Sequence, residues 1–537
     1  MATQWQTFPI EFKGGLISNL TQLQQGTGAV GSATILQNFE VNREGGYSKL
    51  KGFEKFSNTT VPGSGPVLGL KAISPSKVFA ARRNASNFTQ WYYSTGTTWT
   101  SMATSVATNG DKVRHTTVNL DGNEKTIFVD SGNYPGVMNN SANTVTYMTA
   151  SNSSDIVGAT HVAFFANAAF YSKGNTLYFT APLTIDDFSA ANGAGVINVA
   201  QEITGLAVFR EQLIIFTAST VKRLTGSSAA DFDVSSITDR IGCINGDTIQ
   251  EVGGDIMYLS PDGIRLLSAT DRIGDFGLDI ASDPISKDAT KFLASTSNYC
   301  SILFKEKAQY RVFAYIESEQ KQAAKGLIAT KFVAQGASGI SWSTTAGIKA
   351  HIADSIYSGR QEVSVFANED GYVYDLDIGS SFDGDPIEAI YESPYMSISD
   401  PQIRKTFYKL TIYAEPSGNM DLSLNTKFDF GSATNRSVIQ PPTQQVSSTG
   451  EFVSIFGASN AVFGERDPSD PTIVNTSWAD YDAQKTYGSF GGELDSKYNL
   501  NLVGSGKTIA MRIADNSTNP TFTLDAVLLE YAQNDRQ

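Results

Sequence analysis

Cysteine is scarce in this chain: Cys243 and Cys300 are the only two in 537 residues. No disulfide framework is available, and a chain long enough for roughly two to four domains buries cores that need none. Both cysteines read as small apolar side chains buried in strands. Histidine is almost as rare. His115, His161 and His351 stand far apart, with no partner at metal-ligand spacing and no pointer to a Ser-His-Asp arrangement. Long apolar runs are missing too, since none reaches the ~18 residues of a membrane-crossing helix. The opening MATQWQTFPIEFKGG lacks the basic start and apolar centre of a secretory signal. The expectation is a protein made in a cytoplasm, without membrane insertion. Charge is thin at 18% of residues and acidic in balance, with a net charge of −14. Gripping nucleic acid needs clustered Lys and Arg. Here the densest basic points, Arg82-Arg83, Lys222-Arg223 and Arg404-Lys405, are isolated pairs that read as solvated faces or intersubunit salt bridges. An acidic surface is nevertheless compatible with a conduit that DNA passes without sticking.

What the chain does have is Gly, Ser, Thr and Asn between short apolar runs, the palette of strands and turns. One weak helix candidate, Asp279–Leu293, is interrupted by Pro284. The expected fold class is all-β. From about Pro66 to Met396 a strand–turn–strand unit recurs seven times. Its copies are Lys77–Ala81 with Gln90–Ser94, Lys125–Val129 with Thr144–Met148, and His161–Tyr171 with Thr176–Thr180. Leu206–Phe209 with Leu213–Thr217 and Val221–Leu224 follows, then Asp255–Leu259 with Ile264–Leu267. Tyr299–Phe304 with Tyr310–Tyr315 and Val363–Ala367 with Tyr372–Asp377 complete the series. Single hairpins cannot bury an apolar face, and radial stacking into a β-propeller solves that problem. A long sandwich or solenoid is the competing arrangement.

Three regions follow: 1–65, N-terminal strands and turns for propeller closure or an adaptor contact; 66–396, the β-propeller-like domain; and 397–537, a C-terminal antiparallel β-sandwich. In the last, Phe407–Ala414 and Met420–Asn425 flank a Pro-Ser-Gly-Asn turn and read as a hairpin, and Thr508–Ile513 and Phe522–Tyr531 close the chain. About 430–497 reads as a long projecting loop at an interface or tip.

The segment Ile35–Phe56 carries Asn38-Phe39-Glu40, then Gly46-Tyr47, then Gly52-Phe53-Glu54, after an earlier Gly14-Gly15. This order resembles the N-terminal signature of tail-hub proteins of short-tailed bacteriophages. Val208–Leu213, Asp239–Cys243, and Gly254–Ser260 followed by Asp262-Gly263 look like the middle of such proteins. Gly504–Thr508 through Glu530-Tyr531 looks like their C-terminal sandwich. Two branches stay open, the tail tubular protein B or nozzle type and the shorter packaged-DNA stabilisation type. The resemblance implies a structural virion protein of the tail: a homohexameric ring below the portal–adaptor that retains DNA and conducts it during ejection. Its implied partners are further copies of itself, the portal-adaptor proteins, tail fibre or spike proteins, and transiting DNA without specific binding. Glycan-binding receptor recognition is the alternative, with Trp91, Tyr92, Tyr93 and Trp99 as sugar-stacking aromatics.

Chemical motifs fall short. Gly504–Thr508, GSGKT, lacks the further glycine of a phosphate-binding loop, where Asn501 stands, and runs into an alternating strand. Gly96-Thr97-Thr98-Trp99 matches the tail of a sialidase Asp-box, but Ser94 replaces its aspartate. Asp375/Asp377 would share one face of a strand as an acid–base or Ca²⁺ pair, and reads better as a solvent-facing edge. Asp383/Asp385, Glu369/Asp370 and Glu465-Arg466-Asp467 read as turns. No catalytic, cofactor-binding or metal-ligating residue is assigned, no cofactor is implied, and the chain is expected not to be an enzyme.

Overall fold

The computed structural model describes residues 5–534 except 22–30 (Gln24 apart), 103–109, 121, 150–153, 268–279, 335–336, 399, 419 and most of 432–496. Most of the projecting loop expected at about 430–497 lies outside the described residues, and the turn expected at Glu465-Arg466-Asp467 is corrected, since Glu465–Arg466 is a short strand paired with Ile473–Asn475. The chain divides into two compact units. One holds 53–340 with 345–378, and the other holds 1–52, 341–344 and 379–537.

The first unit is a β-propeller-like array of six small antiparallel sheets and a seventh group of antiparallel strands among the described residues. Blade 1 is Ser64–Ser74, Lys77–Arg83, Thr89–Ser94 and Trp99–Ser101; blade 2 is Arg114–Leu120, Asn123–Val129, Gly136–Asn139 and Thr144–Tyr147. Blade 3 is His161–Phe165, Ala168–Lys173, Thr176–Phe179 and Gly195–Asn198; blade 4 is Ile203–Phe209, Gln212–Thr217, Val221–Thr225 and Asp233–Thr238. Blade 5 has three strands, Gln250–Val252, Asp255–Ser260 and Gly263–Leu266. Blade 6 is built on Tyr299–Phe304, Gln309–Ala314 and Lys325–Ala334. Blade 7 joins Ile352–Ser358, Gln361–Ala367 and Val373–Leu376 to Phe53–Lys55, a strand that precedes blade 1 in the sequence. Each of the seven hairpins read from the sequence falls in its own blade.

Stacked sheets need apolar side chains on both faces, and the second strands supply them. In Lys77–Arg83, Val78 and Ala80 join a core with Val365 and Val373 of blade 7. Phe79 and Ala81 join one with Phe128 and Met138 of blade 2. Further wedges fill between blades 2 and 3, 3 and 4, and 4 and 5. The first strands meet in a ring, which closes where Ile352–Ser358 packs on Ser64–Ser74.

The second unit is an antiparallel β-sandwich. One sheet orders Phe39–Val41, Tyr47–Lys49, Phe522–Gln533, Lys405–Pro416 and Lys497–Gly506, with Gln6–Glu11 also paired to Phe522–Gln533. The other includes Ile35–Gln37, Ile387–Glu392, Ile509–Ser517 and Met420–Phe428. The hairpin expected between Phe407–Ala414 and Met420–Asn425 is corrected here. Those strands lie in different sheets, paired instead with Phe522–Gln533 and Ile509–Ser517. Alternation alone cannot say whether a turn folds a strand onto its own sheet or carries it across the core.

Two local readings also change. His161–Tyr171 is two strands, split by Ala166 and Asn167, both at positive φ (47° and 61°), the geometry of a tight hairpin turn. Asp279–Leu293 holds a helix only over Ser286–Leu293, directly after a 3-10 turn that contains Pro284.

Candidate functional site

The first strands of the blades converge on a cavity of about 210 Å³. Every blade contributes to its wall: Leu70, Arg114, His161, Leu206, Gln250, Ser301 and Asp354. Room for on the order of seven waters, at ~30 Å³ each, makes it large enough for one small polar molecule.

Its charges are paired across blades. Asp247 sits on the turn between blades 4 and 5, where the Asn245 side chain accepts from its backbone N–H. Arg114 of blade 2 grips its carboxylate through Nε at 2.6 Å and a terminal nitrogen at 3.0 Å. Lys112 adds a third contact at 3.1 Å and donates to the Tyr299 carbonyl oxygen. Burial works against ionisation of Asp247, but Lys112 and Arg114 outweigh it and hold the carboxyl well below the usual range. On the other side Asp354 accepts from the backbone N–H of Ala72 at 2.8 Å and lies 3.5 Å from Lys71. His115 Nε2 is 3.1 Å from the Leu70 carbonyl oxygen and 3.9 Å from Asp354. Burial, with Lys71 beside it, pushes the His115 imidazole down to about 4. Burial and Arg114 push His161 to about 3. Two neutral imidazoles and two paired carboxylates thus face one space, a lining suited to ordered water or a compact polar ligand.

The sequence placed no residue here by function. His115 and His161, far apart in the chain, do share the cavity wall, whereas His351 meets the Val67 carbonyl oxygen. Lys71, Lys112, Asp247 and Asp354 were not singled out. The Asn245-Gly246-Asp247 turn was the one visible trace, and it resembles ordinary turn chemistry. Among the described residues no group of three or more His, Cys, Asp or Glu side chains is placed to hold a metal ion.

The other candidates resolve individually. Asp377 lies past the end of its strand at φ 68°, paired with Lys307 and Arg311, so it does not share a solvent face with Asp375. Glu369 pairs with Lys349, and Asp370 with Lys321. Asp383 and Asp385 occupy a tight turn, closed by hydrogen bonds between Phe382 and Asp385. Gly504 and Gly506 end a strand, and the Asp429 carboxylate accepts from the N–H groups of Lys507 and Thr508. Cys243 and Cys300 are buried, their thiols pushed up by burial to about 12. Trp91 is fully buried against Phe128, and Trp99 donates to the Thr59 carbonyl oxygen. The Trp91 indole is therefore not free as a sugar platform, and Trp99 is half-buried against the core between blades 1 and 7. Arg82 and Lys405 are buried rather than solvated, donating to backbone carbonyl groups.

No protein-family model matches the chain, and no curated protein does. Its likeness is to solved structures. An exo-β-1,3-galactanase from Phanerochaete chrysosporium is 10% identical over 90% of this chain and 100% of its own, with a TM-score of 0.25. The extracellular domain of a hybrid two component system from B. thetaiotaomicron is 11% identical over 60% of this chain and 41% of its own, with a TM-score of 0.36. An ancestral GH74 enzyme is 9% identical over 62% and 49%, with a TM-score of 0.37. The chain spans less than half the length of the last two. The galactanase and the GH74 protein overturn the expectation that this chain is not an enzyme. An all-β, propeller-like fold shared with enzymes gives no ground for that exclusion, and the likeness assigns no reaction.

Proposed function

We propose that this protein is a tail nozzle or hub subunit of a short-tailed bacteriophage. In this reading copies close a homohexameric ring below the portal–adaptor complex, meet tail fibre or spike proteins, and retain and then conduct DNA in the virion tail. One observation carries it. The hydroxyl of Tyr47 donates to the Gly31 carbonyl oxygen at 2.7 Å and accepts from the Gly15 N–H at 3.1 Å. The two separated parts of the signature, Gly14-Gly15 and Gly46-Tyr47, are therefore joined by hydrogen bonds, with Gly31 as the third member. The rest of the signature has matching structural work. Asn38 holds φ at 52° while its side chain donates to the Glu388 carbonyl oxygen. A Cβ on Gly52 would lie 1.8 Å from the Ser381 carbonyl oxygen. A net charge of −14 keeps passage of DNA non-adhesive.

The test is the native mass of the purified chain, alone and with the portal–adaptor complex of its phage. Addition of six copies to the complex is the expected result. A chain that ignores the complex overturns the proposal.

A further inference from the structure

The strand that closes the propeller carries a mismatch of charge. Phe53–Lys55 is three residues long, and its register on Val373–Leu376 puts Glu54 directly opposite Asp375. The same row continues through Val365 to Asp354 on the innermost strand. Like charges directly opposite one another destabilise a strand pair. Glu54 is exposed and Asp375 half-buried, and among the described residues the neighbouring cations are engaged elsewhere. Val365 and Val373 pack with Val78 and Ala80 of blade 1, against Tyr92 and Trp99. Lys71 is engaged by Asp354, Lys307 and Arg311 by Asp377, and Lys321 by Asp370. Lys55 lies over the Tyr372 ring.

We propose that Asp375, set opposite Glu54, makes the closing strand a pH-dependent latch: the strand is held while Asp375 is protonated and loosens when it ionises. The device is independent of the virion role proposed above. Burial, with the Glu54 charge added, raises the Asp375 carboxyl to about 6. A carboxyl raised in the closed state binds its proton more tightly there than after opening. Closure is therefore strongest below its ordinary value and weakens as pH rises through about 6.

Hydrogen exchange on the full chain, corrected for intrinsic rates, reads this directly at the amides of 53–56 and 373–376. Opening of the strand is expected to rise about tenfold between about pH 5 and about pH 8. Asp375→Asn is expected to remove that dependence and Glu54→Gln to reduce it. Exchange that does not change with pH in the wild-type protein overturns the latch. So does an unaltered pH dependence in Glu54→Gln, the variant that remains informative if Asp375→Asn fails to fold.

Discussion

Lys49 and Asp515 form an ion pair of 3.2 Å with both side chains fully buried, joining the two sheets of the sandwich. The ammonium also donates to the Ser517 carbonyl oxygen at 2.9 Å. The same carboxylate oxygen accepts from the Ser517 N–H and hydroxyl. Burial lowers the affinity of Lys49 for its proton, and Asp515 partly restores it. Removing one partner strands a buried charge, so Lys49→Met is expected to destabilise the sandwich by about 3–5 kcal/mol. The double variant with Asp515→Leu removes both charges and is expected to recover much of that loss. Urea unfolding of the two variants beside the wild type checks the order.

Acid sensitivity follows from the histidines. His161 and His351 are buried and His115 is half-buried, and loss of solvation lowers His115, His161 and His351 from 6.5 to about 4, 3 and 4. A group lowered in the fold takes its proton first in the unfolded chain. Its stabilisation is complete above about 6.5 and is lost as pH falls toward the folded value. Asp375 opposes this, gaining stability on acidification between its ordinary 3.8 and about 6. Asp130 and Asp525, also raised by burial, act in the same sense as Asp375, so it is the histidine contribution by itself that lowers the melting temperature from about pH 7 to about pH 4.5. His115→Gln is expected to shallow that slope in a calorimetric pH series.

Glycines opposite phenylalanines recur in the blades. Gly136 faces Phe128, Gly195 faces Phe179, and Gly326 faces Phe313. A Cβ at Gly136 would lie 2.2 Å from the Phe128 ring. Gly136→Ala is expected to cost about 1–3 kcal/mol by overpacking. Adding Phe128→Leu makes room, so the pair should be less than additive in thermal unfolding.

The seven hairpins were legible because blade strands bury both faces and read as compact apolar runs between turns. What escaped has physical causes. The turn at Ala166-Asn167 holds positive φ without glycine, so no breaker marks it. The closing strand, Phe53-Glu54-Lys55, is too short to show a period. The switch of sheet after Pro416 leaves the alternation unchanged. The cavity's charges were least visible, because Arg114 and Asp247 are 133 residues apart and meet only when the ring forms.

The two cavity carboxylates are expected to differ in weight. Asp247 receives three contacts of 3.1 Å or less from Lys112 and Arg114, two of them the bidentate grip of Arg114. Its loss leaves two confined cations without a counter-charge. Asp354 has a single lysine at 3.5 Å and one backbone N–H. Asp247→Asn is therefore expected to destabilise the propeller by about 3 kcal/mol or more, and Asp354→Asn by clearly less. Lys112→Met placed on Asp247→Asn removes one stranded cation and is expected to restore part of the loss. Melting curves of the three variants decide it. Equal effects of the two aspartates would mean that the cavity responds to total charge rather than to the contacts around Asp247.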